Sequence, residues 1–285
     1  MTSTDRPTPA QTRPGAAELP GTLRVGVSRS WLEIREFFRE WETVLFTFAF
    51  PTLILLLFSA IFADMDQGPQ IHMQATEFYL PGLIAMALMS VSFQTLGVGI
   101  ATERDNGTLR RLRGTPMPPA AYFLGKTGMV LLLALGQLIL LLGVARIGYG
   151  ADLPVQLGDW LTITWVFVLG TVACSLLGIA CSSLARSARG ASVIVIVPFL
   201  VLQFFSGVFI PVQALPDWVV NVAAVFPLKW MAQGMRSAFY PESAAALEPS
   251  GAWDLHLVLA VLAVWCVVGV ILCLLTFRWK TAKDG

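Results

Sequence analysis

The sequence predicts an all-α polytopic membrane protein with six transmembrane helices, an N-terminal amphipathic interfacial helix and an external re-entrant helical hairpin. Three observations predict it. Of the 285 residues, 56% are apolar and only 13% charged, whereas a soluble exterior needs about 25% charged residues, so the excess must face lipid. Apolar windows of about 20 residues, enough to cross about 30 Å of hydrocarbon, recur six times. Of the 19 Lys and Arg residues, all but Arg146, Lys229 and Arg236 fall on one side of those windows. A net charge of +1 also removes any case for nucleic-acid binding, which calls for a strong basic surplus.

The elements follow in order. Residues 1–21 are rich in Pro, Thr and Ala with no apolar stretch, the composition of a disordered cytoplasmic tail. Over 22–43, Val27, Trp31, Ile34, Phe38 and Trp41 recur at three- and four-residue steps, with Arg29, Glu33, Arg35, Glu36, Arg39 and Glu40 on the other side. That is the pattern of a helix lying on a membrane surface, and the chain has no soluble core to receive it instead. Spans are expected near 44–63, 78–101, 120–145, 160–184, 191–211 and 256–277, giving a six-span domain over 44–277. The stretch 212–240 contains Pro216, Pro227, Asp217, Lys229 and Arg236, too many breakers and charges for a lipid-facing span. A pair of short helices, broken near Pro227 and dipping in from outside, fits better. The positive-inside rule then places both termini, including the tail 278–285, in the cytoplasm.

Several chemistries are excluded. Gly125-Lys126-Thr127 looks like the end of a phosphate-binding loop, but position 120 is Ala and a membrane span follows; the chain is expected to bind no nucleotide and to carry no catalytic residue. His72 and His256 lack metal-ligand spacing, so no metal site is expected, and the four cysteines sit inside apolar runs as packing residues. The central depth of the six spans holds no Asp, Glu, Lys, Arg or His, only amides such as Gln94, Gln137 and Gln203 with scattered Ser and Thr. These either hydrogen-bond between helices or, with Phe204 and Phe205, line a translocation path.

One cytoplasmic segment stands out, Glu103-Arg104-Asp105-Asn106-Gly107-Thr108-Leu109-Arg110-Arg111-Leu112-Arg113-Gly114-Thr115-Pro116. Read as a helix over 103–113, its acidic start and basic end complement the helix dipole. The run resembles the coupling-helix signature of type-2 ABC exporter permeases, the family of daunorubicin-resistance-type drug exporters and of polysaccharide and lipid exporters. The preceding amphipathic stretch and the external segment with Pro216, Trp218 and Pro227 are similar to the same family's elbow helix and re-entrant hairpin.

The resemblance implies a permease subunit, with no nucleotide site of its own, that exports a hydrophobic or amphipathic compound across a bacterial cytoplasmic membrane. Its implied partners are ABC ATPase subunits holding ATP and magnesium, a second permease copy or similar permease, and membrane lipids. On this reading Glu103, Arg104, Asp105, Gly107, Thr108, Leu109, Arg110 and Leu112 contact the ATPase. The alternatives are a lipid or polysaccharide exporter permease and an ATP-independent carrier.

Overall fold

The structure is a computed structural model that describes residues 21–63, 73–115, 117–185 and 187–276. The expected tails, His72 and Pro116 lie outside the described residues. The described chain is helical: α1 (Thr22–Arg39), α2 (Trp41–Ile61), α3 (Ala75–Met89), α4 (Thr95–Asp105), α5 (Thr108–Arg113), α6 (Pro119–Gly143), α7 (Leu157–Ser182), α8 (Ala188–Phe205), α9 (Asp217–Ala223), α10 (Pro227–Phe239) and α11 (Leu255–Thr276). A π turn, Ser90–Gln94, joins α3 to α4 without a break, and a second, Val144–Gly148, ends α6. Six helices are long and apolar enough to cross a membrane: Trp41–Ile61, Ala75–Asp105, Ala120–Gly148, Leu157–Ser182, Ala188–Phe205 and Leu255–Thr276. The protein is a multi-pass membrane protein.

α3 forms the centre of the bundle. Every residue from Ala75 to Met89 except Glu77 and Phe78 is buried, because α2, α6, α7 and α10 pack around it. Pro51, Pro81 and Pro198 sit inside helices, which spans tolerate where neighbouring helices satisfy the freed carbonyls. α4 continues between α7 and α8. At its π turn the bundle closes tightly: a Cβ on Gly178 would lie 2.5 Å from the Phe93 carbonyl oxygen, so only glycine fits there. α11 packs on α7 and α10 and leaves Val264, Val267 and Leu274 exposed, as a lipid-facing helix does.

Residues 212–240 contain two helices, with Pro216 at the N-cap of α9 and Pro227 in the first turn of α10. The Trp230 indole donates to the Ala224 carbonyl at 2.7 Å and closes their junction. That junction is deep: Trp265, halfway along α11, donates to the Val225 carbonyl at 2.7 Å, and Gly170, halfway along α7, abuts Met231. The hairpin therefore carries Lys229 to mid-span level, where it is buried and donates to Gln233 Oε1 at 2.5 Å. The spans themselves contribute no charge at that depth; α10 does.

α1 ends at Arg39, short of the expected 22–43, and its packing runs opposite to a soluble amphipathic helix. Its polar side meets α6: Gly26 abuts Leu124, Arg29 abuts Gly125, and the Ser30 hydroxyl donates to the Leu124 carbonyl at 3.4 Å. The contacts ascend together, so α1 runs alongside the first turns of α6 in the same direction. Val27, Trp31 and Phe38 point away and are exposed.

Candidate functional site

The charged segment at 103–113 is not one helix. α4 ends at Asp105, and Gly107 turns the chain with φ +74° before α5 begins at Thr108. A helix over 103–113 would need negative φ throughout, and Asn106-Gly107 is a sequence that readily leaves that region. Nothing lies within 4 Å of a Cβ at Gly107, so its glycine answers a backbone need rather than a close approach.

The charges before the turn are held inside the chain. Lys126 of α6 donates to Glu33 of α1 at 2.6 Å and to Glu103 at the end of α4. The Tyr122 hydroxyl donates to the other oxygen of Glu103 at 2.7 Å, and Arg29 pairs with Glu33. Glu33 and Lys126 are buried. One ammonium between two carboxylates, ringed by further donors, meets the condition under which buried charge is tolerated. The lysine that mimics a phosphate-binding loop thus ties α1, α4 and α6 together.

The next two residues reach the other way. Arg104 donates to the Ser182 and Ala185 carbonyls at the end of α7, the second at 2.7 Å, a cation on a helix C-terminus. Asp105 accepts from the Ala188 amide of α8 at 3.2 Å, and the Ser187 hydroxyl accepts from Gly190 at 3.2 Å; the two acceptors together cap that helix. In α5, Leu109 is buried, Thr108 and Leu112 are partly buried, and Arg110 lies on the exposed side.

The other expected site residues separate. Gln137 and Gln203 are buried at 0% exposure and have no hydrogen-bond partner among the described residues. They sit within the bundle, neither bonding between helices nor lining an open surface. Gln94 lies in the π turn, 3.5 Å from the Ser90 hydroxyl. Phe204 is exposed on α8, and Phe205 meets Trp218 of the hairpin edge-on at 6.0 Å, so only this last pair comes together. Sequence reasoning missed Glu33, Tyr122 and Lys126 as a unit. The one local signal was Gly26, Gly125 and Gly128, small residues that let α1 and α6 approach.

The ABC-2 type transporter family profile matches residues 25–240, from α1 through the hairpin. The chain belongs to that family. Among its relatives, the daunorubicin resistance ABC transporter permease protein DrrB1 of Streptomyces coeruleorubidus is 27% identical over 252 residues, 85% of this chain and 80% of the relative. The probable multidrug ABC transporter permease YbhR of Escherichia coli K12 is 24% identical over 183 residues, 64% of this chain. That match spans 49% of the E. coli protein's length. In this ABC-2 chain, the segment that resembles the family's coupling signature is the turn wired to α1, α6, α7 and α8.

Proposed function

We propose that the chain is the permease subunit of an ATP-driven exporter that moves a hydrophobic or amphipathic, drug-like compound out across a bacterial cytoplasmic membrane. Both termini and the α4–α5 turn are cytoplasmic, and separate ATPase subunits hold the ATP and magnesium. The relatives named for daunorubicin and multidrug export support the cargo class, and the skew of Lys and Arg supports the orientation.

The observation that carries the mechanism is the wiring around Gly107. An ATPase closing on α5 would displace a turn whose flanking residues Glu103, Arg104 and Asp105 are bonded to α6, α7 and α8, and through Lys126 to α1. The push reaches α1 and α6 through Lys126, and α7 and α8 through the Arg104 and Asp105 contacts. A rigid unit moves together, so a local displacement becomes a tilt of several spans. Pairing with a second permease, the same or similar, completes the path.

The test is daunorubicin efflux from cells expressing the chain with its ATPase. Efflux should require ATP hydrolysis and should vanish in Gly107→Trp, while that variant inserts normally and co-purifies less ATPase. Efflux that persists with a hydrolysis-dead ATPase would make the chain an independent carrier.

A further inference from the structure

The outward stripe of α1 heads an open groove of about 400 Å³ between α1, α2 and α6. Trp31 and Phe38 form its cytoplasmic end, Phe48 of α2 a wall, and Leu132, Gly136 and Leu140 of α6 its floor. From Leu132 to Leu140 the floor rises eight steps, about 12 Å along α6, leading from the level of α1 toward mid-span. Beside the stripe lie Arg24, Arg35 and Arg39, all exposed. At about 100° per residue these three fall within about 60° of one another, and Glu36 and Glu40 form a separate row beyond them. Like charges four residues apart disfavour a helix, so this segregation is not for the helix itself. None of the three arginines has an ion-pair partner among the described residues.

We propose that this is a binding site for one anionic phospholipid of the cytoplasmic leaflet, with an acyl chain in the groove and its phosphate between Arg35 and Arg39. The groove accepts a chain that enters at the membrane surface and descends along α6. The arginine row stands where a headgroup would be, with exposed Trp31 and Trp41 at the same boundary. A second copy of the chain is the poorer occupant, because a two-fold contact here would set one arginine row against the other.

Native mass spectrometry of the purified full chain, supplied with equal phosphatidylglycerol and phosphatidylcholine of identical acyl chains, tests the site. The unmodified chain should retain phosphatidylglycerol by at least about fivefold, the effect of about one well-placed arginine near a lipid surface. Arg35→Gln with Arg39→Gln should bring the ratio near one, whereas Arg189→Gln, an exposed arginine on α8, should leave it unchanged. Leu132→Trp and Leu140→Trp fill the floor from exposed positions. Each should fold normally and lose most retained lipid of both kinds. Equal retention of the two lipids by the unmodified chain overturns the proposal. So does a preference that survives the double arginine variant, or occupancy unchanged in both tryptophan variants. A tryptophan variant that dissociates a dimer while its bound lipid stays constant would assign the groove to a second copy instead.

Discussion

The α4–α5 end of the bundle and the hairpin helix α10 bury charge in opposite ways. At the α4–α5 end, Lys126 bridges Glu33 and Glu103, partners 93 and 23 residues away on two other helices. Along the hairpin helix α10, Arg236 meets Glu248 at 2.6 Å only 12 residues on, and Lys229, deeper in the bundle, meets Gln233 four residues on. The hairpin pairs form as soon as their own segment folds. The cluster around Lys126 exists only when α1, α4 and α6 are all in place. Comparable burial therefore serves two ends: a staple within one segment, and a joint between three.

The sharpest way to break this contrast is Lys126→Met, which leaves Glu103 without its cation and Glu33 with Arg29 alone. It should cost about 3–5 kcal/mol, read as a large drop in the chain's thermal unfolding midpoint, with export lost. Adding Glu33→Gln and Glu103→Gln should recover much of the stability but not the export. Recovery of both would reduce the joint to packing.

Arg236→Met strands Glu248 in the same manner and should cost about 3 kcal/mol. Its faster hydrogen exchange should be confined to 227–254, and equal loosening of α1 would erase the distinction between staple and joint. A smaller effect is expected at the turn. Gly107→Ala places a Cβ at φ +74°, which costs about 1–2 kcal/mol; export should slow while insertion and the exchange of α1 stay unchanged. Smallest of all, Ser187→Ala removes one cap of α8 and should cost under about 1 kcal/mol, because Asp105 still accepts from Ala188. A larger loss would mean that Asp105 does not hold α8 to the turn.

Much of this architecture was legible in the chain. The six spans follow from apolar length alone, since lipid demands it, and Pro216 and Pro227 mark helix starts by their missing N–H. The charged segment at 103–113 was legible as a run of residues but not as a shape, because a single glycine decides between one helix and a turn. The cluster around Lys126 was not legible. Glu33 reads as one more charge on the polar side of an amphipathic helix, and nothing in the periodicity of α1 says which side meets α6. Lys229, Gln233 and Arg236 do fall at i, i+4 and i+7, a stripe that a closer reading of 212–240 could have placed on one side of α10. Gln137 and Gln203 were legible as intramembrane amides, while their sealed positions depend on packing from helices distant in sequence.

The π turn at Ser90–Gln94 fixes the rotational phase between the two halves of the longest span. A π turn carries one residue more than the α-helix it interrupts, and one residue is worth about 100° of rotation. Deleting a single residue from this stretch would leave a straighter, uniformly α-helical span. It would also swing Glu103, Arg104 and Asp105 together by about a quarter turn, carrying each off its partner on α6, α7 and α8. The alignment of the contacts at the α4–α5 turn is thus set halfway along the span, by one surplus residue that touches none of them.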